Sequence, residues 1–202
     1  MMRLKHQTEV MEWQVLQEYS KKIKYIYKNM NKLRNFEFEY NGEKYWYSRS
    51  ITVATCIFCK DSDGNWCALI NKRGKGCPTA VGKWNVPAGY LDHDEDICSC
   101  GMRETYEETG LIIPRALMNF YAINSVPDTK RQNVNVIYYA VLPGVIDDYQ
   151  LTTEHSEPGE VDDIMFIPIS MIFTSDIQIA FNNDNILLDV YNKIIINHNK
   201  SK

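Results

Sequence analysis

Residues 89–111, GYLDHDEDICSCGMRETYEETGL, constrain the chain more than any other stretch, because they gather glutamates onto one helical face. Asp92 followed three residues later by Glu95 resembles a capping box, with Asp94 the alternative N-cap. Gly110 suits the left-handed position that ends a helix. The pattern therefore predicts a helix over about residues 95–109. Within it Glu104, Glu107 and Glu108 stand at i, i+3 and i+4, which places all three carboxylates within about 100° of arc. Like charges at that spacing repel and disfavour an isolated helix. A hard divalent cation reverses the sign, since carboxylate oxygens are the ligands magnesium prefers. Arg103 can reach Glu107 one turn on and hold the neighbouring acids in orientation.

An isolated ExxEE is most often a solvated acidic surface. The wider spacing separates this one from that case: G-x5-E-x7-R-E-x-x-E-E-x-G followed by an apolar residue is met by Gly89, Glu95, Arg103, Glu104, Glu107, Glu108, Gly110 and Leu111. With ordinary residue frequencies, a chance match anywhere in such a chain is on the order of 10⁻⁷.

Around this helix the chain reads as a mixed α/β protein. Val10, Trp13, Val15, Leu16, Tyr19, Ile23, Ile26 and Met30 predict an amphipathic helix over about residues 7–33. Asn41-Gly42 between FEFEY and EKYWYS predicts a hairpin over 35–48. Strands are expected at 51–60, 66–72, near 117–125, at 132–142 and at 164–169, with WNVPAG as a short extended piece before the central helix. A final amphipathic helix follows in NILLDVYNKIIINHN. The expected organisation is an extension at 1–48, a main domain at 49–174 and a C-terminal helix at 175–202 packing on that domain.

The 202 residues suffice for one domain with a sizeable core. A net charge of −4 argues against general nucleic-acid binding. The N-terminus, MMRLKHQTEVMEWQ, lacks the apolar core of a signal peptide, and no apolar run is long enough to span a bilayer. The expected compartment is the cytoplasm, with no membrane partner, and the six cysteines are expected to be reduced. Cys56 and Cys59 form a CxxC, but inside a strand side chains three apart point to opposite faces. Cys98 and Cys100 lie about 200° apart on the helix. Buried free thiols are the better account of both pairs.

At this point the segment 89–111 resembles the Nudix family, whose box has this pattern. Thr105 stands where a larger aliphatic residue is usual, and WNVPAG matches the family's W-x-x-P-G-G with Ala88 in place of one glycine. The likeness extends upstream through ALINKRG and downstream through EPGEVDDIMFIPI. It implies a Nudix-type α/β/α sandwich with a mixed central sheet. It also implies hydrolysis of a nucleoside diphosphate linked to another moiety, by attack of water on phosphorus, with Mg²⁺ (or Mn²⁺) as cofactor. By the same resemblance Glu107 and Glu108 are the principal metal ligands, and Glu104 is a ligand or the base for the attacking water. Glu95 steadies Arg103, and the backbone carbonyl at Ala88 or Gly89 ligates metal. Glu160 in PGEV is the preferred further acid, over Glu154 and Glu157. Arg73, flanked by Lys72, Lys75 and Lys83, is the preferred phosphate contact.

The substrate is less constrained. Pro127, sixteen residues beyond Leu111, tilts the reading toward an ADP-ribose pyrophosphatase-like or nucleotide-sugar enzyme. Trp46, Tyr47, Trp84 and Tyr90 offer rings for a base, although aromatic residues beside strands are more often core. A nucleoside triphosphate pyrophosphohydrolase and a non-catalytic nucleotide sensor are the alternatives; retention of every box carboxylate favours an enzyme. The N-terminal helix reads as a packing or dimerisation element, so a homodimer is admitted as a partner.

Overall fold

ITVATCIFCK becomes the central strand of the molecule, and the alternation of its side chains divides the core in two. The computed structural model describes residues 35–126, 133–172 and 177–196. The helix expected at 7–33 lies outside them. The chain forms two units, Met1–Arg49 and Ser50–Lys202.

In the first unit β1 (Phe36–Tyr40) pairs antiparallel with β2 (Glu43–Tyr47). Asn41 and Gly42 take φ values of 54° and 80°, the double left-handed turn that matches strand twist. Phe36 stacks on Tyr47 and Phe38 on Tyr45, at centroid distances of 5.0 and 5.6 Å.

The second unit holds a seven-stranded sheet. Its strands are β3 (Ile51–Lys60), β4 (Trp66–Arg73), β5 (Trp84–Asn85), β6 (Ala88–Tyr90), β7 (Asn119–Asn124), β8 (Val134–Val145) and β9 (Val161–Pro168). β3 runs parallel to β8 and antiparallel to β4 and β6, so the sheet is mixed. β3 and β4 pair only near their connecting turn, from Phe58↔Ala68 to Lys60↔Trp66. Beyond that point WNVPAG fills the space between them: Trp84 and Asn85 pair with β4, and Ala88 to Tyr90 pair with β3. The residues entering the predicted box are thus sheet residues on both sides of Pro87.

Ala54, Cys56 and Phe58 face one apolar cluster with Ala68, Ile70, Leu187 and Val190. Ile57 and Cys59 face the other with Leu69, Cys98 and Leu111. Helix α1 (Ile97–Thr109) covers the second face and α2 (Asn183–Val190) the first. Each face loses apolar surface from water at about 25 cal/mol per Å², which accounts for a sheet covered on both sides. All six cysteines are buried free thiols, and Cys56 and Cys59 do fall on opposite faces. Burial pushes the Cys56 thiol up to about 12.

Close packing of α1 on β3 depends on Gly101, where a Cβ would meet Thr55 Oγ1 at 3.0 Å and Val53 Cγ1 at 3.2 Å. The C-terminal helix differs from a single regular run: α2 passes into a π-helical turn at Tyr191–Ile196. It is preceded by Phe181 and Asn182 at φ 64° and 65°. Left-handed backbone costs an L-residue roughly 1–2 kcal/mol, so neighbouring contacts hold these two in place. No helix among the described residues is long and apolar enough to cross a membrane.

Candidate active site

The central helix begins at Ile97, not near residue 95, and its N-cap is Asp96 rather than Asp92 or Asp94. Asp96 Oδ1 accepts from the backbone N–H groups of Cys98 and Ser99 at 2.9 and 3.1 Å. Arg115 then binds Asp96 from outside the helix, at 2.8 Å to Oδ1 and 3.0 Å to Oδ2. Glu95 does reach back, accepting from the Asp92 N–H at 3.0 Å, but it closes a turn ahead of the helix. Asp96 is not among the caps expected from the sequence, and its partner Arg115 reaches it only through the fold. Gly110 ends the helix as expected, at φ 72° with its N–H donating to the Tyr106 carbonyl at 2.7 Å.

The helix turns its acids toward the sheet end. Glu108 is buried, at 1% exposure, and its Oε2 accepts from the Ala88 N–H at 3.0 Å. Glu104 is also buried, and its carboxyl lies where Gly89 leaves room: a Cβ there would fall 2.1 Å from Glu104 Oε1. A side chain at residue 89 and the Glu104 carboxyl cannot occupy the same space, which is the physical need for that glycine. Glu107, one turn from Arg103, is more open, with 40% of its side chain exposed. Thr105 is buried with its hydroxyl satisfied, donating to the Gly101 carbonyl at 2.7 Å.

Arg103 ties the acids together. Its Nε and Nη2 meet the two oxygens of Glu95 at 3.1 and 2.6 Å. Nη1 donates to Glu104 Oε1 at 2.7 Å and Glu107 Oε2 at 2.9 Å, and Nη2 also reaches the Tyr90 carbonyl at 2.9 Å. The pairing with Arg103 holds the Glu95 carboxyl below the usual carboxylate range and pushes the Arg103 guanidinium further up. Glu104 goes the other way. Burial raises its carboxyl to about 7, against the opposing pull of Arg103. Glu108 is raised well above its ordinary value, by burial first and the charge of Glu104 second. One helix face therefore carries buried acids whose ionised forms are short of positive charge.

Two loops converge near these acids. Gly74 N–H donates to the Glu160 carbonyl and Gly76 N–H to the Gly159 carbonyl, both at 2.7 Å, and Cys77 Sγ also donates to the Glu160 carbonyl at 3.2 Å. The backbones meet so closely that a Cβ on Gly74 would lie 2.2 Å from the Gly159 oxygen. This clasp sets Arg73 and Glu160 at one end of the sheet. Both act electrostatically on Glu108, Glu160 raising its carboxyl and Arg73 lowering it. Sequence reasoning assigns no role to the glycines at 74, 76 and 159. Both loops are visibly glycine-bearing there, but nothing in the linear order pairs them.

The remaining predicted residues divide. Arg73 donates from Nε to the Thr79 carbonyl at 3.1 Å. Tyr90 is 62% exposed beside the Arg103 pair, so its ring is available to a ligand. Trp84 is 8% exposed and packs in the core, the bland alternative for that ring. Trp46 and Tyr47 belong to the hairpin of the first unit. Pro127 lies outside the described residues.

The residues present suit a hard cation in their chemistry: oxygen donors only, buried, with excess negative charge and a glycine that leaves room beside one carboxyl. Among the described residues no three acidic, histidine or cysteine side chains are already gathered as a ligand shell. Arg103 Nη1 bridges Glu104 and Glu107 instead.

Similar folds are found among solved structures. The NUDIX domain of Shewanella oneidensis NrtR complexed with ADP ribose is 18% identical, with a TM-score of 0.59 over 73% of this chain and 90% of that one. A MutT/nudix family protein from Enterococcus faecalis is 18% identical, with a TM-score of 0.60 over 86% and 69%. A mutT/nudix family protein from Listeria innocua is 21% identical, with a TM-score of 0.52 over 75% and 98%. A search of curated proteins finds no match. The family model described as NUDIX domain matches residues 50–189, which include β3, the clasp, the acidic helix and all but the last residue of α2, and the chain belongs to the NUDIX family.

Proposed function

We propose that the chain hydrolyses a pyrophosphate bond in a nucleoside diphosphate linked to another moiety, of the ADP-ribose or nucleotide-sugar type. The observation that carries this reading is the pair of buried carboxyls, Glu104 and Glu108, on one face of α1 with too little positive charge beside them. Glu104, Glu107 and Glu108 would hold Mg²⁺ or Mn²⁺, with Glu160 and the backbone carbonyl at Ala88 or Gly89 as further oxygen ligands. Bound there, the cation would neutralise charge on the substrate phosphates.

The chain's own groups do the rest. Glu104 is either a ligand of the cation or the base that accepts a proton from the attacking water. Arg103 and Glu95 keep that carboxyl aimed, Gly89 leaves it room, and the Ala88 N–H orients Glu108. Arg73 contacts a substrate phosphate, and Tyr90 gives an exposed ring to the substrate. Residues 1–48 are assigned to an extension, 49–174 to the catalytic domain, and 175–202 to a C-terminal segment whose helix α2 packs on it. The compartment is the cytoplasm.

The substrate class is supported by two relatives. The NrtR domain was crystallised with ADP ribose, and a bifunctional NMN adenylyltransferase/ADP ribose pyrophosphatase from Francisella tularensis with AMP and a manganese ion. The first of these also favours a second reading, binding of ADP ribose without cleavage.

Glu108→Gln is expected to abolish Mg²⁺-dependent hydrolysis and leave the circular dichroism spectrum unchanged, since the amide oxygen still accepts from Ala88. Full activity in that variant, or wild-type activity indifferent to a chelator, overturns the mechanism. A phosphate-release screen with a coupled phosphatase over ADP-ribose, NADH, dinucleoside polyphosphates, nucleotide sugars and nucleoside triphosphates separates the two readings. Binding of ADP-ribose with no turnover of any compound selects the second.

A further inference from the structure

Arg73 ends β4, and its guanidinium is held on two sides. Nε donates to the Thr79 carbonyl at 3.1 Å, and the guanidinium carbon lies 5.0 Å from the centroid of the Phe181 ring. Phe181 belongs to a distant part of the chain and takes a conformation that bulky L-residues rarely adopt, φ 64° and ψ 17°. Asn182 follows at φ 65°. Backbone of this kind persists only where the surroundings over-determine it.

Those surroundings are on the same edge of the sheet. Trp84 forms a parallel bridge with Ile179, and its N–H donates to the Gln178 carbonyl at 2.9 Å. Asn183 Nδ2 donates to Asn85 Oδ1 at 2.7 Å in a buried pair. The chain is thus pinned to β5 immediately before and after the two left-handed residues, and the bend between the pins delivers the Phe181 ring to Arg73. A flat aromatic face against a guanidinium favours one orientation of a side chain that otherwise has many rotamers.

We infer that Phe181 is a positioning residue that holds the Arg73 guanidinium for a substrate phosphate, so that the segment before α2 sets how tightly the substrate is held. This rests on the reading of Arg73 as a phosphate contact. A glycine at this position would relieve the left-handed backbone. Loss of the ring should therefore weaken binding even where it improves the fold.

The test uses the full-length protein with Mg²⁺, measuring KM and kcat for ADP-ribose, its affinity by calorimetry, and Tm. Phe181→Leu and Phe181→Gly are expected to raise KM and Kd about fivefold, the scale of one cation–π contact, with kcat within twofold. Phe181→Gly should have a Tm no lower than wild type, and Phe181→Tyr should restore the affinity. Arg73→Ala is the reference and should raise KM at least as much. If Arg73→Ala raises KM and the leucine and glycine variants do not, the positioning role is overturned while the phosphate contact stands. If Arg73→Ala leaves KM and Kd unchanged, or if the wild type neither binds nor cleaves ADP-ribose, the underlying reading falls and this inference with it.

Discussion

Glu95 and Glu104 both touch Arg103, yet their carboxyls shift in opposite directions. Glu95 receives two N–H groups of the guanidinium and a backbone N–H from Asp92. Its ionised form is well supplied with donors. Glu104 lies deeper, and its burial is the first cause of the rise; it receives one N–H, lies against the Gly89 backbone, and shares its surroundings with the charges of Glu107 and Glu160. Its ionised form is under-supplied. The same residue type, beside the same arginine, stabilises the fold in one place and holds an uncompensated charge in the other. The first lies just ahead of α1 and the second within it.

The contrast depends on the space beside Gly89. Gly89→Ala places a Cβ where the Glu104 carboxyl lies and must displace it, an effect expected to lower kcat about a hundredfold, as misplacement by an ångström can. Measuring kcat together with a circular dichroism spectrum checks this, and near-normal turnover would show that the close approach is not needed.

A second measurement sharpens the electrostatic half. The Glu104 carboxyl moves from 4.5 in the ordinary case to about 7 in the fold. Between those values the native state holds a proton that the unfolded chain has released. The contribution of this group to the stability of the metal-free protein is therefore full below pH 4.5 and falls as pH rises toward 7, by about 3 kcal/mol. Urea unfolding at several pH values with chelator present should show that fall, and Glu104→Gln should reduce it, the raised Glu108 carboxyl supplying the remainder. A stability that rose through this window, or a fall unchanged in the variant, would break the comparison.

The smallest effect belongs to the start of the helix. Asp96, the cap, is held below the usual carboxylate range by Arg115 and the Ser99 N–H. Asp96→Ala should lower Tm modestly by removing the cap, with kcat and KM unchanged. A loss of activity larger than the loss of stability would mean that the two ends of α1 are not independent.

Much of this arrangement is legible in the amino-acid sequence alone. Glu104, Glu107 and Glu108 share a face because helical periodicity puts them there, and Gly110 takes the left-handed turn that its lack of a Cβ permits. Cys56 and Cys59 diverge because a strand has a period of two. The Asn41-Gly42 turn follows from local backbone preference alone. The helix start is not legible in the same way, because Asp92, Asp94 and Asp96 are equivalent as local caps and Arg115 chooses among them from outside the helix. Trp84 reads equally well as a stacking ring or as core, and only the packing of β5 against the C-terminal segment settles it as core.

The sequence by itself determined the elements and the acidic face, since both follow from periodicities a few residues long. Only the tertiary structure decided which acids would be buried, because burial depends on what lies opposite: Gly89 and Ala88 before Glu104 and Glu108, and Arg103 before Glu95. It also decided that the glycines of one loop would grip those of another, and that Phe181 would meet Arg73. Such contacts join residues far apart along the chain, and no local rule of spacing or conformation carries information across that distance.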